Sequence, residues 1–224
     1  MVRSSKVIIT GLKPIDDLLN PVGRYWSIEF YGDSYVLDYL FHRSIAIQSR
    51  RGQVYVVVSL EFGGIRTDLI EAFCRVFDCR LTAVSISRAF KTRDVVRILE
   101  SLIGVRDSTV VLLYPYNFLG DDPSTYYEAT EISGLINRVS AENTVLIFNT
   151  TTRFGSRMPE GGSMHHHVVE VILRVKRLGR SVVAELVKHP AKPTGLRRLF
   201  RVELLKEKAA PVDTVSLLNW VRVG

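Results

Sequence analysis

Cysteine is scarce: Cys74 and Cys79 are the only two in 224 residues. That excludes a disulfide-framed scaffold and a thiolate-built structural zinc site. Long hydrophobic runs are missing too. Nothing approaches the roughly 20 apolar residues of a membrane span, and Met1–Thr10 has no long apolar signal core. An intracellular, cytoplasmic protein with no membrane partner is expected. Repeats, linkers and low-complexity tracts are also lacking, so residues 1–224 are expected to form a single domain. With 46% hydrophobic and 24% charged residues, the chain cannot be wholly disordered. Excess positive charge is absent from the first two-thirds: residues 1–150 hold 16 Lys+Arg and 17 Asp+Glu, a net −1. Residues 151–224 hold 14 and 6, a net +8. Such asymmetry fits a polyanionic partner, or a solubilising surface.

What is present is an alternation of two textures. Gln53–Ser59, Thr109–Tyr114 and Thr144–Phe148 are apolar, β-branched runs, as expected of strands buried on both faces. Between them, Ile65, Leu69, Ile70, Phe73, Val76 and Phe77 fall at helical spacing, as do Val95, Val96, Leu99, Leu102 and Ile103. A further helix is expected around Tyr126–Val139. The pattern predicts βαβ units and a mainly parallel sheet, with Val54–Val58, Val110–Tyr114 and Val145–Phe148 as interior strands. After Gly162 the texture changes. Val168–Val175 and Ser181–Lys188, joined across Gly179, predict a hairpin, and Leu199–Leu204 a further strand. Val212–Val223 is apolar enough to dock on the body.

The chain resembles the core of the RecA/RadA-type recombinase superfamily. Thr10-Gly11-Leu12-Lys13-Pro14-Ile15-Asp16-Asp17-Leu18-Leu19 is similar to the family's TGxxxLDxLL opening, and Ile28-Glu29-Phe30-Tyr31-Gly32 to the strand entering its phosphate loop. Ser87-Arg88-Ala89-Phe90 resembles a second strand end. Gly161-Gly162, the histidine cluster and Leu173-Arg174 resemble its GG…H…LRK segment. His189-Pro190 and Phe200-Arg201 match its closing strands. These landmarks run in order over about residues 8–203. The resemblance implies an α/β RecA-like ATPase core: a central, mainly parallel sheet flanked by helices, plus C-terminal antiparallel strands. No counterpart of the family's N-terminal helical DNA-binding domain is expected.

The nucleotide motifs are altered. A phosphate loop needs GxxxxGK[ST], for free backbone amides, a phosphate-neutralising lysine and a hydroxyl on Mg²⁺. Counted without gaps from Gly32, Leu37 stands at the second glycine, Asp38 at the lysine and Tyr39 at the hydroxyl, before a helix over Leu40–Gln48. Unit charges ~4 Å apart interact by roughly 4 kcal/mol at an effective dielectric of ~20, so reversing the sign swings the interaction by roughly 8 kcal/mol. Micromolar affinity amounts to only about 8 kcal/mol in all. Tyr114 replaces the aspartate that the family uses beside Mg²⁺. Glu61 falls where the family keeps a water-activating glutamate, and is expected to be a surface carboxylate. Asn149 matches the family's TNQ strand end, but Thr150 replaces its nucleotide-sensing glutamine. The expectation is no ATP binding, no cofactor and no catalysis.

Thr150–Glu160 lies at the position of the family's second DNA loop and carries Arg153, Phe154 and Arg157: two cations for phosphates and one ring for base stacking. The first DNA loop's counterpart, Phe118–Tyr127, carries Asp121 and Asp122 instead, which is expected to weaken binding. Arg174, Lys176 and Arg177 extend the candidate DNA surface along the hairpin, with Arg197, Arg198 and Arg201 following. Alternation puts Arg174 and Lys176 opposite Val171, Leu173 and Val175. These cations also suit a protein-binding face or protection of a sheet edge. His165 and His167 would share a face if extended, but no metal site is expected, because no Cys or carboxylate lies at ligand spacing. Cys74 fits a core thiol beside Ile70 and Phe77, with oxidation to Cys79 left open. The expected function is a non-catalytic recombinase paralogue. It would bind single- or double-stranded DNA, an active recombinase or another paralogue, with a homodimer also compatible. The alternatives are a KaiC-like scaffold binding proteins only, or a subunit completing a composite ATPase site in trans.

Overall fold

The computed structural model describes residues 7–120, 126–152 and 157–206. Arg153, Phe154, Asp121, Asp122 and the Val212–Val223 segment lie outside the described residues. The elements run α1 Lys13–Leu19, β1 Ser27–Gly32, α2 Ser34–Ser49, β2 Val54–Val58, α3 Thr67–Phe77, β3 Val84–Arg88 and α4 Thr92–Ser101. They continue with β4 Thr109–Leu113, α5 Tyr126–Ser140, β5 Thr144–Asn149, α6 Gly162–Val168, β6 Val171–Leu178, β7 Ser181–Lys188 and β8 Arg197–Arg201.

All eight strands join one sheet, in the order β3-β2-β4-β5-β1-β6-β7-β8. Strands β3 through β6 are parallel, and β7 and β8 add on antiparallel. The three apolar runs are interior strands, because residues on both faces must be apolar when helices cover both sides. One face packs on α1, α2 and α3 through Ile28, Phe30, Val56, Val111, Phe148 and Leu173. The other packs on α4 and α5 through Val57, Leu112, Ile147, Val96, Ile132 and Ile136. Beyond Ile172 no described residue of α4 or α5 continues that second layer.

Several expectations need correction. Helix α2 starts six residues before Leu40, because Asp33 caps it: its carboxylate accepts from Val36 N–H at 3.1 Å. Tyr114 is not part of β4; its φ of +52° turns the chain out of the strand. The histidine cluster is helical, not extended. In α6 the i, i+4 spacing buries His165 and Val169 together and leaves His167 exposed. The last strand begins at Arg197 and ends at Arg201. A 3₁₀ turn over Val202–Leu205 then drops Leu205 into the core. Cys74 is not a core thiol but forms a disulfide with Cys79, with Cα atoms 4.7 Å apart. The left-handed Asp78 (φ +53°) that ends α3 folds the chain back to make that approach. Among the described residues no helix is long and apolar enough to cross a membrane.

Candidate nucleic-acid interface and the β1–α2 turn

At the C-terminal end of β1, a single residue separates strand from helix. Gly32 (φ +123°) lies against β6 so closely that a Cβ would sit 2.1 Å from the Val175 carbonyl oxygen. Asp33 N–H donates to that same oxygen at 3.0 Å. The helix begins at Ser34, so Leu37, Asp38 and Tyr39 are helical residues and not a loop. Helix N-termini attract anions through unpaired amides and the dipole. Here the Asp33 carboxylate already occupies the first turn. Leu37 is fully buried in the core, and Tyr39 nearly so.

Asp38 remains half-buried among fixed partners. Its carboxylate lies 3.6 Å from Arg66 and 3.3 Å from His42 Nδ1. Arg66 N–H donates to His42 Nε2 at 2.8 Å, so Nδ1 carries the ring proton and donates to the Asp38 carbonyl at 2.7 Å. Burial holds the His42 imidazole below its ordinary pKa. Tyr114 faces the same place: burial, then the negative charges of Asp38 and Asp33, push its phenol up. Glu61 is exposed in the loop after β2, beside Phe62. Of the expected nucleotide residues, Gly32 ends β1, Tyr114 follows β4 and Asp38 lies near it on α2, paired with Arg66, while Leu37 and Tyr39 are packed into the core.

The cations are arranged differently from expectation. Arg174 and Lys176 share the face of β6 that points away from α2, and Glu185 of β7 and Arg197 of β8 lie on the same face. With Tyr31, Arg157, Met158, Leu178, Val183 and Val187 they line an open concavity of about 470 Å³. Arg197 pairs with Glu185 at 2.8 Å. Arg177 does not belong with them. The sheet separates it from Arg174 and Lys176, and its guanidinium stacks over Tyr35 of α2, 4.6 Å from the ring centroid. Arg197, which in the sequence is one of a trailing group of arginines, takes its place.

Beside this concavity lies a polar network that the sequence reading did not assign. Glu29 stands in the middle of β1 with 0% exposure. His165 Nε2 lies 2.8 Å from its Oε1, and His165 Nδ1 lies 2.7 Å from Tyr116 Oη. Tyr116 contacts Ser133 Oγ at 2.9 Å, and Ser133 in turn donates to the Ala129 carbonyl. Asn149 Nδ2 donates to the same Glu29 oxygen at 2.8 Å. The available signal was one charged residue inside the apolar run Ile28–Tyr31. Burial also pushes the neighbouring Tyr31 phenol up to about 12, with the Arg174 charge pulling the other way.

No protein-family model matches the sequence, and no curated protein is detectably similar to it. The fold is shared with solved structures. One of them, described as the crystal structure of the RadB recombinase, aligns with a TM-score of 0.70 over 89% of this chain and 98% of that one, at 19% identity. The chain therefore has the α/β core fold of a RecA/RadA-type recombinase.

Proposed function

We propose that this chain is a recombinase-fold subunit without nucleotide chemistry of its own, which binds DNA independently of sequence and assists an active recombinase or paralogue in recombination and repair. One observation carries the reading: the β6–β8 half of the sheet presents Arg174, Lys176 and Arg197 on a face over which no described helix packs, with Arg157 at its margin. Among the described lining residues the one acidic group is Glu185, and it is engaged by Arg197. A strip of cations on a rigid sheet can track phosphates without reading bases, and the affinity then comes mainly from counterion release. In the sequence, Arg153 and Phe154 shortly precede Arg157 and would supply a further cation and a ring for stacking. The structural neighbour is a recombinase, which supports the recombination side of this reading.

Fluorescence anisotropy with a labelled oligothymidylate across a salt series tests it. Three or four neutralised phosphates give a slope of log K against log salt of about −2 to −3 on single strands. Arg174→Ala with Lys176→Ala lowers that slope by about 1.4. Phe154→Ala weakens binding by about 1–3 kcal/mol with the slope nearly unchanged, since stacking releases few ions. No retention of single- or double-stranded DNA at low salt would overturn the proposal and leave the basic face to a protein partner, as in a scaffold that binds proteins only.

A further inference from the structure

The root of the segment between β5 and α6 is fastened by side chains from β1, β5 and α5. Asn149, 1% exposed, donates from Nδ2 both to Glu29 Oε1 and to the Glu160 carbonyl, each at 2.8 Å. One amide therefore joins the residue where the chain leaves β5 to the residue where it returns. Glu160 N–H donates to the Thr150 carbonyl at 3.0 Å and Thr152 N–H to the Met158 carbonyl at 2.9 Å, closing the root as a ladder. Two further hydroxyls reach it from below. Tyr31 of β1 donates to the Arg157 carbonyl at 2.8 Å, and Tyr126 of α5 donates to Glu160 Oε1 at 2.6 Å. Glu29 is itself in contact with His165, whose other ring nitrogen meets Tyr116, which in turn meets Ser133.

A buried carboxylate in the central strand of a sheet is expensive, and here Oε1 takes the contacts from Asn149 and His165 while Oε2 has no hydrogen-bond partner among the described residues; apolar residues would serve packing as well. The polar chain ends at the loop. We infer that Tyr31, Asn149 and Glu29 are positioning residues for this loop: they preset the backbone at Arg157 so that its cation meets phosphate without an ordering step. Leaving one backbone residue unordered costs about five- to thirtyfold in affinity, which sets the scale of the advantage. Tyr31 is the cleanest lever. Its ring packs in the core and only its hydroxyl reaches the loop, so Tyr31→Phe removes the tether and keeps the packing.

The inference rests on the DNA-binding reading, and two measurements separate the failure of one from the failure of the other. The first is a binding cycle with oligothymidylate. Tyr31→Phe weakens binding about three- to tenfold in the otherwise native chain, the range for losing one hydrogen bond. It has almost no effect when Arg157 is already alanine. An equal loss in both backgrounds would mean a general structural role and overturn the inference, as would no loss at all. The second needs no DNA. Tryptic cleavage after Arg157 is accelerated several-fold in Tyr31→Phe, and more in Asn149→Ala, under conditions where both variants keep their native circular dichroism. Cleavage at the native rate in Tyr31→Phe sinks the inference even if the DNA reading stands. Accelerated cleavage in a chain that retains no DNA keeps the tether and removes only its ligand.

Discussion

Asp38→Lys restores the residue that a phosphate loop uses, and it should restore nothing. The carboxylate lies 3.6 Å from Arg66, whose side chain is 48% exposed. The bare Coulomb energy at that separation is about 4–5 kcal/mol at an effective dielectric of 20, but exposed pairs deliver only about 0.2–1 kcal/mol in practice. Losing the attraction and adding a like-charge contact together cost about 1–2 kcal/mol, or roughly 2–8 °C in Tm for a chain of this size. ATP has nothing to gain in exchange. The amide of Val36 is held by Asp33, Leu37 is in the core, and the segment is helix where phosphates need an open loop. Calorimetry of the variant with Mg-ATP should be flat while differential scanning shows the lowered Tm. Micromolar affinity in either the native chain or Asp38→Lys would refute the reasoning, because it would require α2 to unwind its first turn at little cost.

Gly32 packs closely against β6. Gly32→Ala drives a Cβ into the Val175 carbonyl at a positive φ and should cost about 3 kcal/mol or more in urea unfolding, whereas Gly134→Ala, in open space on α5, should stabilise by about 0.5–1 kcal/mol. A native midpoint for Gly32→Ala would contradict the close approach. His42, faced by Asp38, Arg66 and Asp68, has a folded-state pKa below its unfolded value of about 6.5. The unfolded chain then binds the proton first, so stability is full above pH 6.5 and falls as the pH drops below it, by at most about 1.4 kcal/mol per pH unit. Comparing denaturation at pH 7.5 and 5.5 should show that His42→Gln has a shallower loss than the native chain; parallel profiles would be the contrary result.

The parts of the fold that were legible are those where one force decides. Strands covered on both faces must be apolar throughout, so β2, β4 and β5 stood out, and the glycine between Val168–Val175 and Ser181–Lys188 marked the hairpin. The start of α2 was obscured by its own likeness to a phosphate loop. Asp33-Ser34 followed by Val36, Leu37 and Leu40 is a helix cap before a helical apolar pattern, and capping chemistry decides where the helix starts. The side taken by Arg177 was legible from parity with Val175, yet sequence clustering hid it. Glu29 was harder, because its partners Asn149 and His165 come from segments more than 100 residues away, and nothing local announces a long-range polar contact. The disulfide was not legible, since a left-handed Asp78 is what brings Cys79 back to Cys74.

The place of β1 in the middle of the sheet has a consequence for the order of synthesis. Its two neighbours are β5 and β6, so Ile28 and Phe30 find no pairing partner until Val145 and then Val171 have been made. At about 5–20 residues per second, a ribosome takes on the order of 7–30 s to cover that distance. During that interval the nascent chain holds an apolar strand with both edges bare, while β2, β3 and β4 can already pair with one another. The ends are tied last. Buried Arg43 donates to the Thr10 and Gly11 carbonyls at the start of the described chain and to the Leu205 carbonyl near its end. The Leu205 contact of that guanidinium cannot form until nearly all of the described chain has been made, so the first and last described segments are joined late.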